Sequence, residues 1–89
     1  MNVKSRAPKH PTVTFDPDAD ALYVCLVDGQ VHETHPMGDL RLVDYAKDGT
    51  VLGIEFISAS QGVDLADVPF APTVAAAIGD SGYPIPIFA

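Results

Sequence analysis

The first candidate metal-binding or acid/base residues in the chain are three alternating carboxylates, Asp16, Asp18 and Asp20. Carboxylates at this spacing open a calcium-binding loop, which also needs a glycine at its sixth position and a bidentate glutamate at its twelfth. Ala21 and Val27 occupy those two positions. The sequence therefore excludes a calcium loop and favours a turn, because an aspartate ahead of a proline can bond the backbone amides that follow it. Weak cation binding, an acid/base pair or contact with a partner are the alternatives for these carboxylates.

A second chemical candidate is the pair His32 and His35, with Glu33 between them. On a helix two histidines three residues apart share a face and could bind zinc, whereas on a strand they point to opposite faces. The surrounding sequence predicts a strand, so we expect no metal here. A small enzyme or metal-binding protein using Asp16, Asp18, Asp20, His32 and His35, with Tyr23 as a further acid/base group, is the alternative. The sequence lacks a nucleophile beside a base, a glycine-rich phosphate loop and a serine elbow, so we expect no enzyme and no cofactor.

Length and composition predict one small domain. The chain has 89 residues, 47% of them hydrophobic, which suffices for a core without disulfides or metal. Cys25 is the only cysteine and lies in an apolar run, where a reduced, buried thiol is expected. No apolar segment approaches the roughly 20 residues that span a bilayer. These features predict a cytoplasmic protein without a membrane anchor.

Charge is distributed unevenly along the chain. Lys4, Arg6 and Lys9 lie within residues 1–10, which we predict to be a flexible basic arm ahead of a single domain at 11–89. The domain has two basic residues, Arg41 and Lys47, against twelve acidic ones, a net charge of −10. Because phosphate binding relies on a clustered basic face, this balance argues against direct binding of nucleic acid.

The pattern of apolar residues predicts a sheet. Residues 21–27 form the longest apolar run, which indicates a central strand covered on both faces. Asp-Gly pairs at 28–29 and 48–49 are strong hairpin signals. The predicted strands cover residues 12–15, 21–27, 30–36, 40–45 and 50–57, with Leu52, Ile54 and Phe56 facing the core. Gly53 indicates a bulge or a close backbone contact within the last of them.

The last third differs in character. Pro72 suits a first helical position and Gly79 a helix C-terminus, so we predict a short helix that packs through Val74 and Ile78. In residues 83–88, Pro84 and Pro86 remove donors from one edge only, which predicts an outermost strand. The predicted fold is α+β and mainly β: an antiparallel meander of about five strands, a short C-terminal helix and a final proline-containing edge strand.

Several of these segments together resemble a known family. The residues that carry the resemblance are Phe-Asp-Pro-Asp-Ala-Asp-Ala-Leu-Tyr-Val at 15–24, Asp28-Gly29, Val43-Asp44-Tyr45, Asp48-Gly49 and Gly-Ile-Glu-Phe-Ile-Ser-Ala-Ser at 53–60. In order and spacing they are similar to the small bacterial and phage proteins catalogued as domain of unknown function 2283. The resemblance implies a compact β-rich fold and a role beside small toxin-like proteins, and it supplies no catalytic residues.

These observations predict a small acidic module that binds a basic protein, in the manner of an antitoxin or a regulatory partner. The candidate contact residues are Asp16, Asp18, Asp20, Glu33 and Asp44. The alternative is an acidic mimic of nucleic acid that occupies a DNA-binding protein. Either function is compatible with a homodimer, because a small sheet leaves its edges exposed.

Overall fold

A computed structural model of the protein describes residues 11–88, so the predicted basic arm lies outside the described residues. The strands are β1 (Thr12–Asp16), β2 (Ala21–Cys25), β3 (Glu33–Pro36), β4 (Arg41–Tyr45), β5 (Val51–Ile57), β6 (Val63–Asp64) and β7 (Ile87–Phe88). The helices are a 3-10 turn at Ala59–Gln61 and α1 at Ala71–Ser81.

Five strands form one sheet in the order β1-β2-β5-β4-β3, and every neighbouring pair is antiparallel. With α1 near the C-terminus, this arrangement confirms the predicted class, α+β and mainly β. β5 occupies the middle position, whereas the predicted central strand, β2, lies between β1 and β5. Leu22 and Val24 of β2 are completely buried, while Tyr23 and Cys25 on its other face are half-buried.

The strand order corrects the predicted simple meander. Asp28-Gly29 does not join two paired strands, because β2 pairs with β5 and β3 pairs with β4. Residues 26–32 instead cross three strand spacings, about 14 Å, to the far edge of the sheet. Apolar matching explains the outcome: β5 offers β2 an alternating buried row, whereas all four residues of β3 are exposed. The nonlocal pairing thus overrides the local turn signal.

The second Asp-Gly signal is confirmed as a hairpin. The Gly49 N–H donates to the carbonyl of Ala46 at 3.0 Å, and this turn joins the paired strands β4 and β5. Only Gly49, at φ 90°, takes a positive φ in this turn. It is therefore a three-residue connection with a glycine in the left-handed region.

The core lies on one face of the sheet. Its fully buried strand residues include Leu22, Val24, Val43, Ile54 and Phe56, with Leu52 almost as buried. α1 closes this face over β1 and β2 through Val74 and Ile78, as predicted. The helix continues past the predicted stop at Gly79 to Ser81, and Gly82, with a φ of 85°, is the left-handed residue that caps its end. No helix within residues 11–88 is long and apolar enough to cross a membrane.

The C-terminal segment differs from the predicted proline-containing edge strand, because its strand contains no proline. Pro84 and Pro86 precede β7, which pairs in parallel with β6 in a separate two-stranded sheet. The Val63 N–H donates to the Pro86 carbonyl at 2.8 Å. The prolines therefore lie outside the ladder, where their missing N–H groups leave no strand bond unmade.

A matched pair of phenylalanines tests where the core lies. Phe56→Ala should lower the free energy of unfolding by about 3–5 kcal/mol, because Phe56 is 1% exposed and the cavity would not close. Phe88→Ala, at a ring that is 56% exposed, should cost about 1 kcal/mol or less. Urea denaturation followed by circular dichroism measures the free energy of unfolding of both variants. An equal decrease in the two would contradict this placement of the core.

Candidate functional site

The sheet face opposite α1 carries mainly polar side chains. We call it the open face. It is defined by six side chains from all five strands: Thr14, Tyr23, Thr34, Leu42, Asp44 and Glu55. Because side chains alternate along a strand, these six point away from the buried row of Leu22, Val24, Ile54 and Phe56.

A hydrogen-bonded group links three strands of the open face. The Tyr23 hydroxyl on β2 donates to Oδ2 of Asp44 on β4 at 3.0 Å. The Thr34 hydroxyl on β3 donates to the other oxygen, Oδ1, at 2.6 Å. With one hydroxyl on each oxygen, the Asp44 carboxylate is held in a fixed orientation at the centre of the face.

Gly53 makes the Tyr23–Asp44 contact possible. It lies on β5 between Cys25 on one side and Asp44 on the other, so the Tyr23 side chain must cross it. A Cβ at position 53 would collide with the Tyr23 ring and hydroxyl and with the Val24 carbonyl. The structure therefore confirms the predicted close contact at Gly53, and the register shift beside it, between Asp44 and Tyr45, also fits the predicted bulge.

Substitution of Gly53 tests this contact. Gly53→Ala should lower the free energy of unfolding by about 1–3 kcal/mol, because the added methyl group overpacks the space beneath Tyr23. The control is Gly79→Ala, where nothing lies within 4 Å of the new Cβ and the helix should gain up to about 1 kcal/mol. Changes of opposite sign in the free energy of unfolding, measured by urea denaturation, would support this geometry. An unchanged free energy of unfolding for Gly53→Ala would contradict it.

Two ionisable groups on β2 have shifted pKa values. Burial, followed by the hydrogen bond to the Asp44 carboxylate, raises the pKa of the Tyr23 hydroxyl well above its ordinary value. Burial, followed by the charge of Asp28, raises the pKa of the Cys25 thiol. Both groups therefore keep their protons at neutral pH, so Tyr23 acts as a donor and Cys25 is a weak nucleophile.

The Tyr23 shift predicts how stability depends on pH. The unfolded chain releases the Tyr23 proton above about pH 10 and the folded chain retains it, so this stabilisation is complete below pH 10 and is lost as the pH rises further. Tyr23→Phe should cost about 1 kcal/mol near neutral pH through the lost hydrogen bond. Its unfolding free energy should then fall less steeply than that of the wild type above about pH 10. Urea denaturation at each pH gives the free energy of unfolding. If this free energy falls equally steeply above about pH 10 in Tyr23→Phe and the wild type, Tyr23 is not the group responsible.

The aspartates of the first turn have structural partners. Asp16 Oδ1 accepts the backbone N–H groups of Asp18 at 3.0 Å and Ala19 at 3.3 Å, as the predicted turn requires. Asp20 takes a positive φ of 52°, and its carboxylate accepts both the N–H of Ser60 at 2.9 Å and its hydroxyl at 2.7 Å. Asp16 and Asp20 thus stabilise the end of the sheet, while Asp18 is exposed.

The histidines lie on a different part of the surface. His32, Glu33 and His35 line a cleft of about 380 Å³ beside Tyr45. Nε2 of His35 lies 3.1 Å from Oε1 of Glu33, and the His35 ring meets Tyr45 edge-on with centroids 5.2 Å apart. Within residues 11–88 no three His, Cys, Asp or Glu side chains are grouped to hold a metal ion. The structure therefore separates the candidates into three places: the first turn, the histidine cleft, and Asp44 on the open face.

Sequence reasoning named Asp44 but missed its partners. Tyr23 reaches Asp44, 21 positions away, only through the order β2-β5-β4, whereas Thr34 lies 10 positions away on the strand that precedes Asp44. The one local signal was Gly53, an otherwise costly glycine inside an apolar strand.

One known family matches the part of the chain that forms the main sheet. A family model described as "Protein of unknown function (DUF2283)" matches residues 12–60, which is more than half of the chain and covers the whole main sheet. The chain therefore belongs to this family. Comparisons with curated proteins and with solved structures gave no significant match.

Proposed function

We propose that this protein is a non-catalytic binding module whose open face receives a basic side chain of a protein partner. The observation that carries the proposal is the pair of carboxylates at the centre of the face. Glu55 lies opposite Leu42, and Asp44 lies opposite Gly53, so the two acids are diagonal neighbours on adjacent strands. Diagonal neighbours lie about 7–8 Å apart, within reach of one arginine or lysine head group.

Charge on this face is not balanced within residues 11–88. Arg41 is directed elsewhere: its guanidinium donates to the carbonyls of Asp64 at 3.1 Å and Ala66 at 2.6 Å. Lys47 lies in the turn between β4 and β5, at the end of the sheet. The described part of the open face therefore carries acids without Lys or Arg. In a domain of net charge −10, such a face steers a cationic partner toward itself.

The remaining side chains suit a protein surface. Leu42 on the open face is a half-buried apolar group, and Thr14 and Tyr23 contribute hydroxyls to the same face. A partly apolar centre with a few oriented polar groups is the usual composition of an interface. Because hydroxyls already hold Asp44 in place, an incoming cation would order few additional groups, which favours affinity.

The shifted groups on β2 support binding in preference to catalysis. Tyr23 keeps its proton and is therefore no general base, and a protonated Cys25 is a weak nucleophile. Because the resemblance to the family implies a place beside small toxin-like proteins, a small basic protein of that kind is the partner we expect first.

Two charge reversals of equal size test the proposal. The tagged full chain and its Glu55→Lys and Asp39→Lys variants are used to purify the partner from source cells at low salt. Each variant changes net charge by two, but only Glu55 lies on the open face, whereas Asp39 lies in the turn between β3 and β4. We expect Glu55→Lys to reduce recovery of the partner at least about tenfold and Asp39→Lys to leave it nearly unchanged.

Circular dichroism verifies that both variants are folded. Equal loss with both would show that net charge alone governs binding and would overturn the assignment to the open face. No salt-sensitive partner at low salt would overturn the proposal as a whole. Displacement of the bound protein by DNA would indicate mimicry of nucleic acid in place of an antitoxin-like role.

A further inference from the structure

Residues 84–88 form an extended segment that follows α1 and lies along β6. We call this segment the strap. Ile85 packs against the core and is half-buried, and the other four side chains of the strap are exposed. The residues that the strap covers, Val63 and Leu65, are by contrast almost fully buried. The strap therefore buries little apolar surface of its own.

The strap is joined to the chain beneath it by a short parallel ladder. The Val63 N–H donates to the carbonyl of Pro86 at 2.8 Å, and the Leu65 N–H donates to the carbonyl of Phe88 at 2.9 Å. The ladder between β6 and β7 has two residue pairs, whereas five pairs join β2 to β5. Far fewer contacts must therefore break to release the strap than to separate the main sheet.

Prolines limit the hydrogen bonds that the strap can make. Pro84 and Pro86 have no N–H group, and Ile85 donates its own N–H to the carbonyl of Tyr83 at 2.9 Å. Tyr83 itself is anchored, because its ring lies against the ring of Phe15 with centroids 5.7 Å apart. Opening can therefore begin at Pro84 and leave Tyr83 and α1 in place.

The ring of Phe88 closes the strap over Gly62. A Cβ at position 62 would collide with this ring, and the φ of 111° at Gly62 also favours glycine. More than half of the Phe88 side chain is nevertheless exposed to solvent. The ring thus contacts the protein on one side only, which makes its contribution to holding the strap a small one.

We propose that the strap opens and closes while the five-stranded sheet stays folded. Segments with little buried apolar surface and few hydrogen bonds open at a lower free energy than the whole domain, and the strap has both properties. Opening releases the N–H groups of Val63 and Leu65 and uncovers Gly62. Gly62 and Val63 line a cleft of about 420 Å³ with Leu40 and Phe56, so the strap controls access to one end of this cleft. The inference is independent of the proposed function, because no residue of the open face takes part.

Native-state amide hydrogen exchange of the full chain, followed by nuclear magnetic resonance, tests this motion. The amides of Val63 and Leu65 report strap opening, because their acceptors lie on the strap. The Val24 amide, on the side of β2 that faces β5, reports unfolding of the sheet. After correction for intrinsic rates, we expect Val63 and Leu65 to exchange at least about a hundredfold faster than Val24, and with a weaker dependence on urea. Equal protection and equal urea dependence would overturn the proposal.

The Ala59 amide distinguishes opening of the strap from opening of the segment beneath it. It donates to the carbonyl of Asp20 at 3.0 Å, away from the strap, and Ala59 is completely buried. We expect it to stay protected while Val63 and Leu65 exchange. Exchange of all three amides at the same corrected rate would show that residues 59–65 open as well, and would contradict a strap that moves by itself.

Two substitutions separate strap opening from unfolding. Phe88→Ala removes the ring over Gly62 and should speed exchange at Val63 and Leu65 about two- to fivefold. Ile54→Val should speed exchange at Val24 by a similar factor and leave Val63 and Leu65 unchanged, because Ile54 stays buried when the strap opens. An equal effect of Ile54→Val at all three amides, or no effect of Phe88→Ala at Val63 and Leu65, would overturn the proposal.

Discussion

The pairing of β2 with β5 is the contact on which the rest of the structure depends. It joins two rows of buried side chains, Leu22 and Val24 on one strand with Ile54 and Phe56 on the other. These rows form the core together with Val74 and Ile78 of α1, and their pairing brings segments some 30 residues apart into one register. Because side chains alternate along a strand, burying this row also determines which residues form the open face.

Much of the fold follows from local signals in the sequence. The core positions of β5, the hairpin at Gly49 and the docking of α1 through Val74 and Ile78 were all predictable from periodicity and turn chemistry. The strand order was not, because an Asp-Gly pair at 28–29 satisfies the same local rule as the pair at 48–49. The two Asp-Gly pairs differ in whether the strands on either side present matching apolar residues to each other. That matching depends on the whole assembled sheet and not on the turn. The helix end was missed for a similar reason: Gly79 and Gly82 both suit a C-terminus, and packing decides between them.

The candidate site shows the same division between local and nonlocal information. Asp16 was predictable as a turn residue, because its partners follow within three positions. The bond between Asp20 and Ser60 spans 40 residues and left no local trace. The bond from Tyr23 to Asp44 likewise depends on the nonlocal pairing of β2 with β5, whereas Thr34 lies on the strand that precedes Asp44. The acids of this family member thus include Asp16 and Asp20, which stabilise the fold, and Asp44 and Glu55 on the open face, which we propose to bind a partner.

Nuclear Overhauser effects between the strands of the isotope-labelled protein test the pairing of β2 with β5. We predict backbone contacts between Val24 and Ile54 and between Tyr23 and Glu55, as the register of β2 and β5 requires. Contacts from residues 21–25 to residues 33–36 should be missing. Backbone contacts between those two segments, which a simple meander would produce, would contradict the strand order and with it the open face.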